Sequence, residues 1–212
     1  MHYIEKQYEV VDSPVDLKII YHRFFRKVKG KILDVGCNVG NFISLNPRSI
    51  IGIDKEKECL EISKERGFDV KFMDINKSIN FKNNYFSAIY CSHVIEHLEK
   101  PLNVMREFYR ILKVGGKLIL ITPDFISRHD KKHKGFYSDY THKQPFTMES
   151  LKMIAYDSGF RKFNVTYSYK HLKGLGWLVR HNVIKIEQVI KLQNFLYKIG
   201  IRGNDLILVV EK

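Results

Sequence analysis

The stretch Lys31 to Phe42 reads Lys-Ile-Leu-Asp-Val-Gly-Cys-Asn-Val-Gly-Asn-Phe, and the fold is decided there. Ile32, Leu33 and Val35 form a short apolar run that predicts a buried parallel strand, and the glycines stand where such a strand turns into a helix. In an open α/β sheet that corner holds ligands, because glycine lets the backbone come close and helix amides point at the ligand. Glycine spacing narrows the choice. A dinucleotide fingerprint needs glycines near positions 36, 38 and 41, but Asn38 and Asn41 occupy two of those places, and a phosphate loop ending in Gly-Lys-Ser/Thr is missing.

What remains is Asp34 two residues before Gly36, with Gly40 four beyond it. This pattern resembles motif I of the class I S-adenosylmethionine-dependent methyltransferases. Most of that family has glycine where Asn38 stands, and asparagine is the residue after glycine that best tolerates positive φ. Ser49 to Asp54 (Ser-Ile-Ile-Gly-Ile-Asp) predicts a second buried strand ending in an acid eighteen residues beyond Gly36. A carboxylate there can accept from both ribose hydroxyls of an adenosine ligand; its other reading is a helix N-cap for Lys55 to Arg66. Asp69 to Met73 predicts a third strand, followed by Asp74 and Ile75. The resemblance implies that Asp74 accepts from the adenine amino group while Ile75 meets the ring edge through its backbone; a turn-forming Asp74 is the alternative.

Phe81 to Leu98 carries the next match. Tyr85 to Cys91 predicts the fourth strand, and the sequence Val94-Ile95-Glu96-His97-Leu98 after it is similar to the family's motif IV. Pro101 opens a helix to Leu112, which Lys113-Val114-Gly115-Gly116 ends before a strand over Lys117 to Thr122. The family's usual Lys-Pro-Gly-Gly has Val114 in place of proline. The resemblance covers Gly30 to Pro123. It implies a Rossmann-like α/β fold: a seven-stranded, mostly parallel sheet with the last strand antiparallel and helices on both faces. It also implies S-adenosylmethionine as cofactor, held by Asp34, Gly36, Cys37, Asn38, Gly40, Asp54, Lys55, Asp74, Ile75, Cys91 and Ser92.

Histidines supply the chemistry. Deprotonating an acceptor hydroxyl near neutral pH suits an imidazole, and His97, His142 and His93 are the candidate bases. His93-Val94-Ile95-Glu96-His97 also spells an inverted zinc-peptidase motif, and on a helix positions 93, 96 and 97 share one face. Its place at the end of a buried strand within an adenosine-binding series argues against a peptidase. A divalent metal polarising a substrate hydroxyl, as in some quinone-pathway relatives, stays open; the expectation is no metal, with His97 structural or on the substrate side.

The flanks are less specific. Leu17, Ile20, Tyr21, Phe24, Phe25 and Val28 predict an amphipathic helix from Pro14 to Lys29, which either covers core or helps close the cofactor pocket. Asp124 to Phe146 is a substrate-side insertion. It is basic at Arg128, Lys131, Lys132 and Lys134 and mixes in His129, His133, Phe136, Tyr137 and Tyr140. Its end, Asp139 to Thr147, leads into a helix from Met148 to Ser158 and looks like a segment of microbial saccharide-pathway methyltransferases. Phe160 to Tyr169 and Asp205 to Glu211 predict the last two strands. Between them Leu172 to Ile199 carries Trp177, Leu178, Val183, Ile186, Ile190 and Leu196 on an amphipathic helix. That helix is free to pack on the core, pair with a second subunit or rest on a membrane surface.

The chain of 212 residues is 44% hydrophobic, enough for one domain spanning 1–212. No apolar run approaches the ~20 residues that cross a bilayer, and Met1 to Gln7 lacks a signal peptide's apolar centre, so a cytoplasmic protein is expected. Cys37, Cys59 and Cys91 are too scattered for a disulfide framework. A formal charge of +13 favours polyanions, but the lysines are spread along the whole chain. The expected activity is methyl transfer to a small-molecule or saccharide hydroxyl, by a monomer or homodimer. RNA methylation and non-catalytic S-adenosylmethionine binding are the rivals. Cys91-Ser92-His93 matches neither the Asp/Asn-Pro-Pro-aromatic of amino-group enzymes on nucleic acid nor the Pro-Cys of cytosine-carbon enzymes, so nucleic acid is not favoured.

Overall fold

Each apolar run becomes a strand. Ile32–Val35 is β1, Ile50–Asp54 β2, Val70–Phe72 β3, Phe86–Ser92 β4, Leu112–Pro123 β5, Lys162–Ser168 β6 and Asp205–Glu211 β7. The computed structural model describes residues 13–126, 136–168, 175–181, 183–201 and 203–212. The strands form a seven-stranded sheet of order β3-β2-β1-β4-β5-β7-β6. Strands β1 to β5 pair in parallel, and β7 lies antiparallel to both β5 and β6. Strand order reverses beside β1, so the crevice outside the carboxyl ends of β1 and β4 is the switch point where such sheets hold ligands.

Both faces are covered, which explains the uninterrupted apolar runs. On one face Leu33, Val35, Ile51, Ile53, Ile89, Leu118 and Leu120 pack with Val104, Met105 and Phe108 of α3 (Pro101–Ile111) and Leu151 and Ala155 of α4 (Met148–Asp157). On the other, Ile32, Ile50, Ala88, Tyr90 and Ile119 pack with Leu17 and Ile20 of α1 (Pro14–Ile20) and Leu60 of α2 (Lys57–Glu65).

Four expectations need correction. The amphipathic helix expected to run to Lys29 ends earlier: α1 passes into a π turn over Tyr21–Phe25, which swings Phe25 into the core against Phe42 and Tyr90, with ring centres 5.1 and 5.8 Å away. No long helix follows the glycine loop. Residues 36–49 form turns and one 3-10 turn, Ile43–Leu45, because Asn38 and Gly40 take left-handed φ and Asn and Ser favour turns over helix interiors. The Lys113 to Gly116 turn is an excursion within β5: Phe86 pairs with Leu112, and Ala88 already pairs with Lys117. The last connection holds two helices, α5 (Leu175–Arg180) and α6 (Ile186–Lys198). Val189 of α6 packs on Val15 and Ile19 of α1, whereas Trp177 and Val183 are exposed. Among the described residues no helix is long and apolar enough to cross a membrane. Arg128, His129, Lys131, Lys132, His133 and Lys134 lie outside the described residues, as do residues 1–12 and the start of the predicted 172–200 connection.

Candidate active site

After β1 the chain turns through Gly36, Asn38 and Gly40 at φ of 71°, 48° and 81°. Asn38 thus takes the left-handed conformation that glycine would otherwise supply. The Gly36 and Cys37 amides both donate to the Ile53 carbonyl, at 2.9 and 3.1 Å, and the Asn38 amide donates to Asp54 Oδ2 at 2.8 Å. The second Asp54 oxygen accepts from the Glu56 amide at 3.0 Å. Asp54 therefore fastens the glycine loop to the tip of β2. A carboxylate offers about four acceptor positions, so roughly two stay open for a pair of ribose hydroxyls. That capacity, beside a glycine-lined corner at the switch point, fits an adenosine ligand.

The other acids sit on the same sheet edge. Met73 N–H donates to the Asp54 carbonyl at 2.9 Å, which brings the tips of β2 and β3 together just ahead of Asp74. Asp74 forms a turn: Oδ1 accepts from the Asn76 amide at 3.1 Å and Oδ2 lies 3.4 Å from Lys77 Nζ. Ile75 is half-buried and borders a surface depression of about 350 Å³ with Asn76, Lys100 and Asn103. Asp34 is buried within β1, between Gly52 of β2 and Tyr90 of β4. Cys37 packs against Gly52, where a Cβ would lie 2.6 Å from its sulfur. Cys91 is fully buried in the core, so only its backbone can meet a ligand, and burial pushes its thiol pKa well up. Lys55 is exposed beside Glu56, and Ser92 ends β4 half-buried.

The turn after β4 meets the glycine corner directly. A Cβ on Gly36 would come within 2.5 Å of Val94 Cγ2. Next to Val94, the 3-10 turn Ile95–His97 carries Glu96 and His97, and the segment after Phe136 folds back onto it. The Lys143 and Gln144 amides donate to the Glu96 carbonyl at 2.7 and 3.2 Å, which sets His142 4.7 Å from His97, ring centre to ring centre. Thr141 Oγ1 lies 3.0 Å from His97 Nδ1 and donates to Asp139 at 2.6 Å, while His142 Nδ1 lies 2.7 Å from the Phe136 carbonyl. His93 differs from the other two. It has a left-handed φ of 54° and faces Glu96 at 3.4 Å and Asp205 at 3.6 Å.

Charge in this group is set by burial and by neighbours. Burial pushes the fully buried Glu96 carboxyl upward, but hydrogen bonding and charge from His93, with its own backbone amide and His97, outweigh that and hold it below the ordinary range. Burial lowers His97, with His142 adding to the effect, and Glu96 only partly offsets this, so the ring is neutral near pH 7. Asp139 is raised by burial but lowered more by its bonds to Thr141 and by the nearby imidazoles.

His97 and His142 are thus brought together, while His93 turns to the acids. The converging trio is Glu96, His97 and His142, rather than positions 93, 96 and 97 of one helix, because the turn is too short to stack them. Thr122, Thr141 and Asp205 were not singled out in the sequence. Thr122 donates to Glu96 Oε2 at 3.1 Å. A hydroxyl closing the run Leu118 to Ile121, and an acid opening the apolar run after Asp205, were the available signals.

Residues 12–165 match a family model described as a methyltransferase domain. The chain is 32% identical over 111 residues to a tRNA U34 carboxymethyltransferase of Helicobacter acinonychis, an alignment covering 45% of this chain and 41% of that protein. It therefore spans about two fifths of that relative's length. An uncharacterized protein of Methanocaldococcus jannaschii is 34% identical over 145 residues, covering 65% of this chain and 68% of that one. The crystal structure of an S-adenosylmethionine-dependent methyltransferase from Archaeoglobus fulgidus superposes with a TM-score of 0.72 at 22% identity, over 100% of this chain and 99% of that chain. Sheet order, glycine corner and family match agree: the chain belongs to the methyltransferase-domain family, the class I S-adenosylmethionine-dependent methyltransferases.

Proposed function

We propose that the chain methylates a hydroxyl of a small-molecule or saccharide acceptor, with His97 as the base. The observation that carries this reading is the contact between Gly36 and Val94, which makes the adenosine corner and the Glu96–His97–His142 group neighbours. When bound, S-adenosylmethionine supplies an electrophilic methyl on a sulfonium that is already a good leaving group. The protein's main task is then alignment of the acceptor, which is worth ~7–11 kcal/mol of barrier. Asp54 holds the ribose, the loop from Gly36 to Gly40 borders the methionine end, and Asp74 with Ile75 flanks the base. His97, neutral and with Nδ1 engaged by Thr141, offers Nε2 to the acceptor proton; His142 beside it is the second candidate and His93 the third.

Incubation with methyl-labelled cofactor and separate glycan, small-molecule and RNA pools tests the reading. Label in a hydroxyl-bearing glycan or small molecule supports it. His97→Ala should lower kcat by about 10²–10⁴-fold, and a loss within about threefold removes His97 from the role of base. RNA is the second reading, favoured by the carboxymethyltransferase relative and the charge of +13. Label confined to RNA, with binding that weakens steeply as salt rises, would establish it instead.

A further inference from the structure

The group around His97 has a second property, which draws on the same ring nitrogen as proton transfer. One carboxylate oxygen of Glu96 and one ring nitrogen from each of His97 and His142 lie within 4.8 Å of one another. Hydrogen bonding decides where the ring lone pairs are. The Phe136 carbonyl can only accept, so at 2.7 Å it takes the Nδ1 proton of His142, and Nε2 is the ring nitrogen left for an ion. Thr141 has one hydroxyl proton and gives it to Asp139 at 2.6 Å. Its oxygen therefore accepts from His97 Nδ1 at 3.0 Å, and the His97 lone pair is on Nε2 as well. Each ring is thus held at Nδ1 by an outer partner, a carbonyl in one case and a hydroxyl backed by a carboxylate in the other. Histidines that ligate metals are held in this way.

Two further observations point to a cation. Asp139 Oδ2 stands 3.8 Å from His142 Nε2, too far for an N–H···O bond but close enough to place a further oxygen donor beside the same ring nitrogen. Glu96, fully buried, is locked to the His142 segment by main-chain bonds from Lys143 and Gln144, so the donors come from two segments already fixed to each other.

We propose that Glu96, His97 and His142 bind a divalent transition-metal ion, with Asp139 within reach as a fourth ligand. Two imidazoles and a carboxylate suit Zn²⁺, Co²⁺, Mn²⁺ or Fe²⁺, whereas Mg²⁺ and Ca²⁺ favour oxygen donors throughout. With bonds of about 2.1 Å, ligands of one ion stand roughly 3–4 Å apart, so the trio closes by about an ångström through side-chain rotation. The ion would lie beside the glycine corner and acidify a hydroxyl that coordinates it, so that the loaded protein no longer needs His97 as base. That role rests on the methyl-transfer reading; the binding does not.

The test is titration of Co²⁺ into the chelator-treated chain, followed by visible absorption and calorimetry with neither cofactor nor acceptor present. One ion per chain at micromolar affinity is expected, weakened by about tenfold or more in His97→Ala and in His142→Ala. Melting curves without metal separate lost ligation from lost folding. Should His97→Ala fail to fold, His142→Gln carries the test. No saturable binding below millimolar Co²⁺ would overturn the proposal. So would binding that survives the double alanine substitution, or a sulfur charge-transfer band placing the ion at a cysteine. Because no methyl acceptor takes part, failure of the transferase reading leaves this result standing, and the reverse holds too.

Discussion

At the scale of single residues, the site depends on close approaches that leave no room for a methyl group. Gly36 has φ of 71°, and a Cβ there would lie 2.5 Å from Val94 Cγ2. Gly36→Ala should therefore cost about 1–3 kcal/mol in urea denaturation, part from backbone strain and part from the clash. Adding Val94→Ala should return the clash component alone, and strict additivity of the two substitutions would show that the contact carries no energy. Cys59 gives a pH test. Burial, then Asp54 and neighbouring acids, push its thiol from 9.0 up to about 11. At pH 8 its thiolate is about a hundredfold scarcer than that of an ordinary thiol, each unit being tenfold. Alkylation of Cys59 in the native chain should keep rising with pH up to about 11, whereas the unfolded chain levels off near 9. The folded state is favoured below the unfolded value and loses that advantage as pH climbs between the two. Equal labelling rates at pH 8 in native and urea-unfolded chain would contradict this.

At the scale of elements, the segment that delivers His142 is anchored from behind by α4. Thr147 caps that helix by accepting from the Ser150 amide, and the Ser150 hydroxyl accepts in turn from the Thr147 amide. Thr147→Ala should cost about 0.5–2 kcal/mol, read as a lowered melting temperature. The loss of helix after β1 has a related cause. Local side chains there prefer turns, and Asp54 satisfies the Asn38 amide, so that amide needs no helical partner. The apolar run from Ile32 and the acid closing β2 were legible because burial on both faces leaves a strong pattern. The meeting of His97 with His142 was not, because it depends on main-chain bonds from Lys143 and Gln144 to Glu96.

For the whole molecule, a ligand seated across β2, β1 and β4 should stabilise the entire sheet. Cofactor or its demethylated product at a hundred times Kd should add about 2.7 kcal/mol, or roughly 5–10 °C for a domain of this size. Asp54→Ala should abolish most of that shift, and no shift in the parent chain would undo the cofactor assignment. Order along the chain determined the architecture: apolar runs at regular intervals, glycines after the first and an acid after the second allow few arrangements but a parallel sheet wound to both sides, since each run must be buried on two faces. Tertiary structure alone decided the grouping of side chains around His97. Tautomers, partners and the distance to Glu96 follow from how Asp139 to His142 folds back on the turn after β4, and contacts between segments far apart in sequence leave no periodic trace.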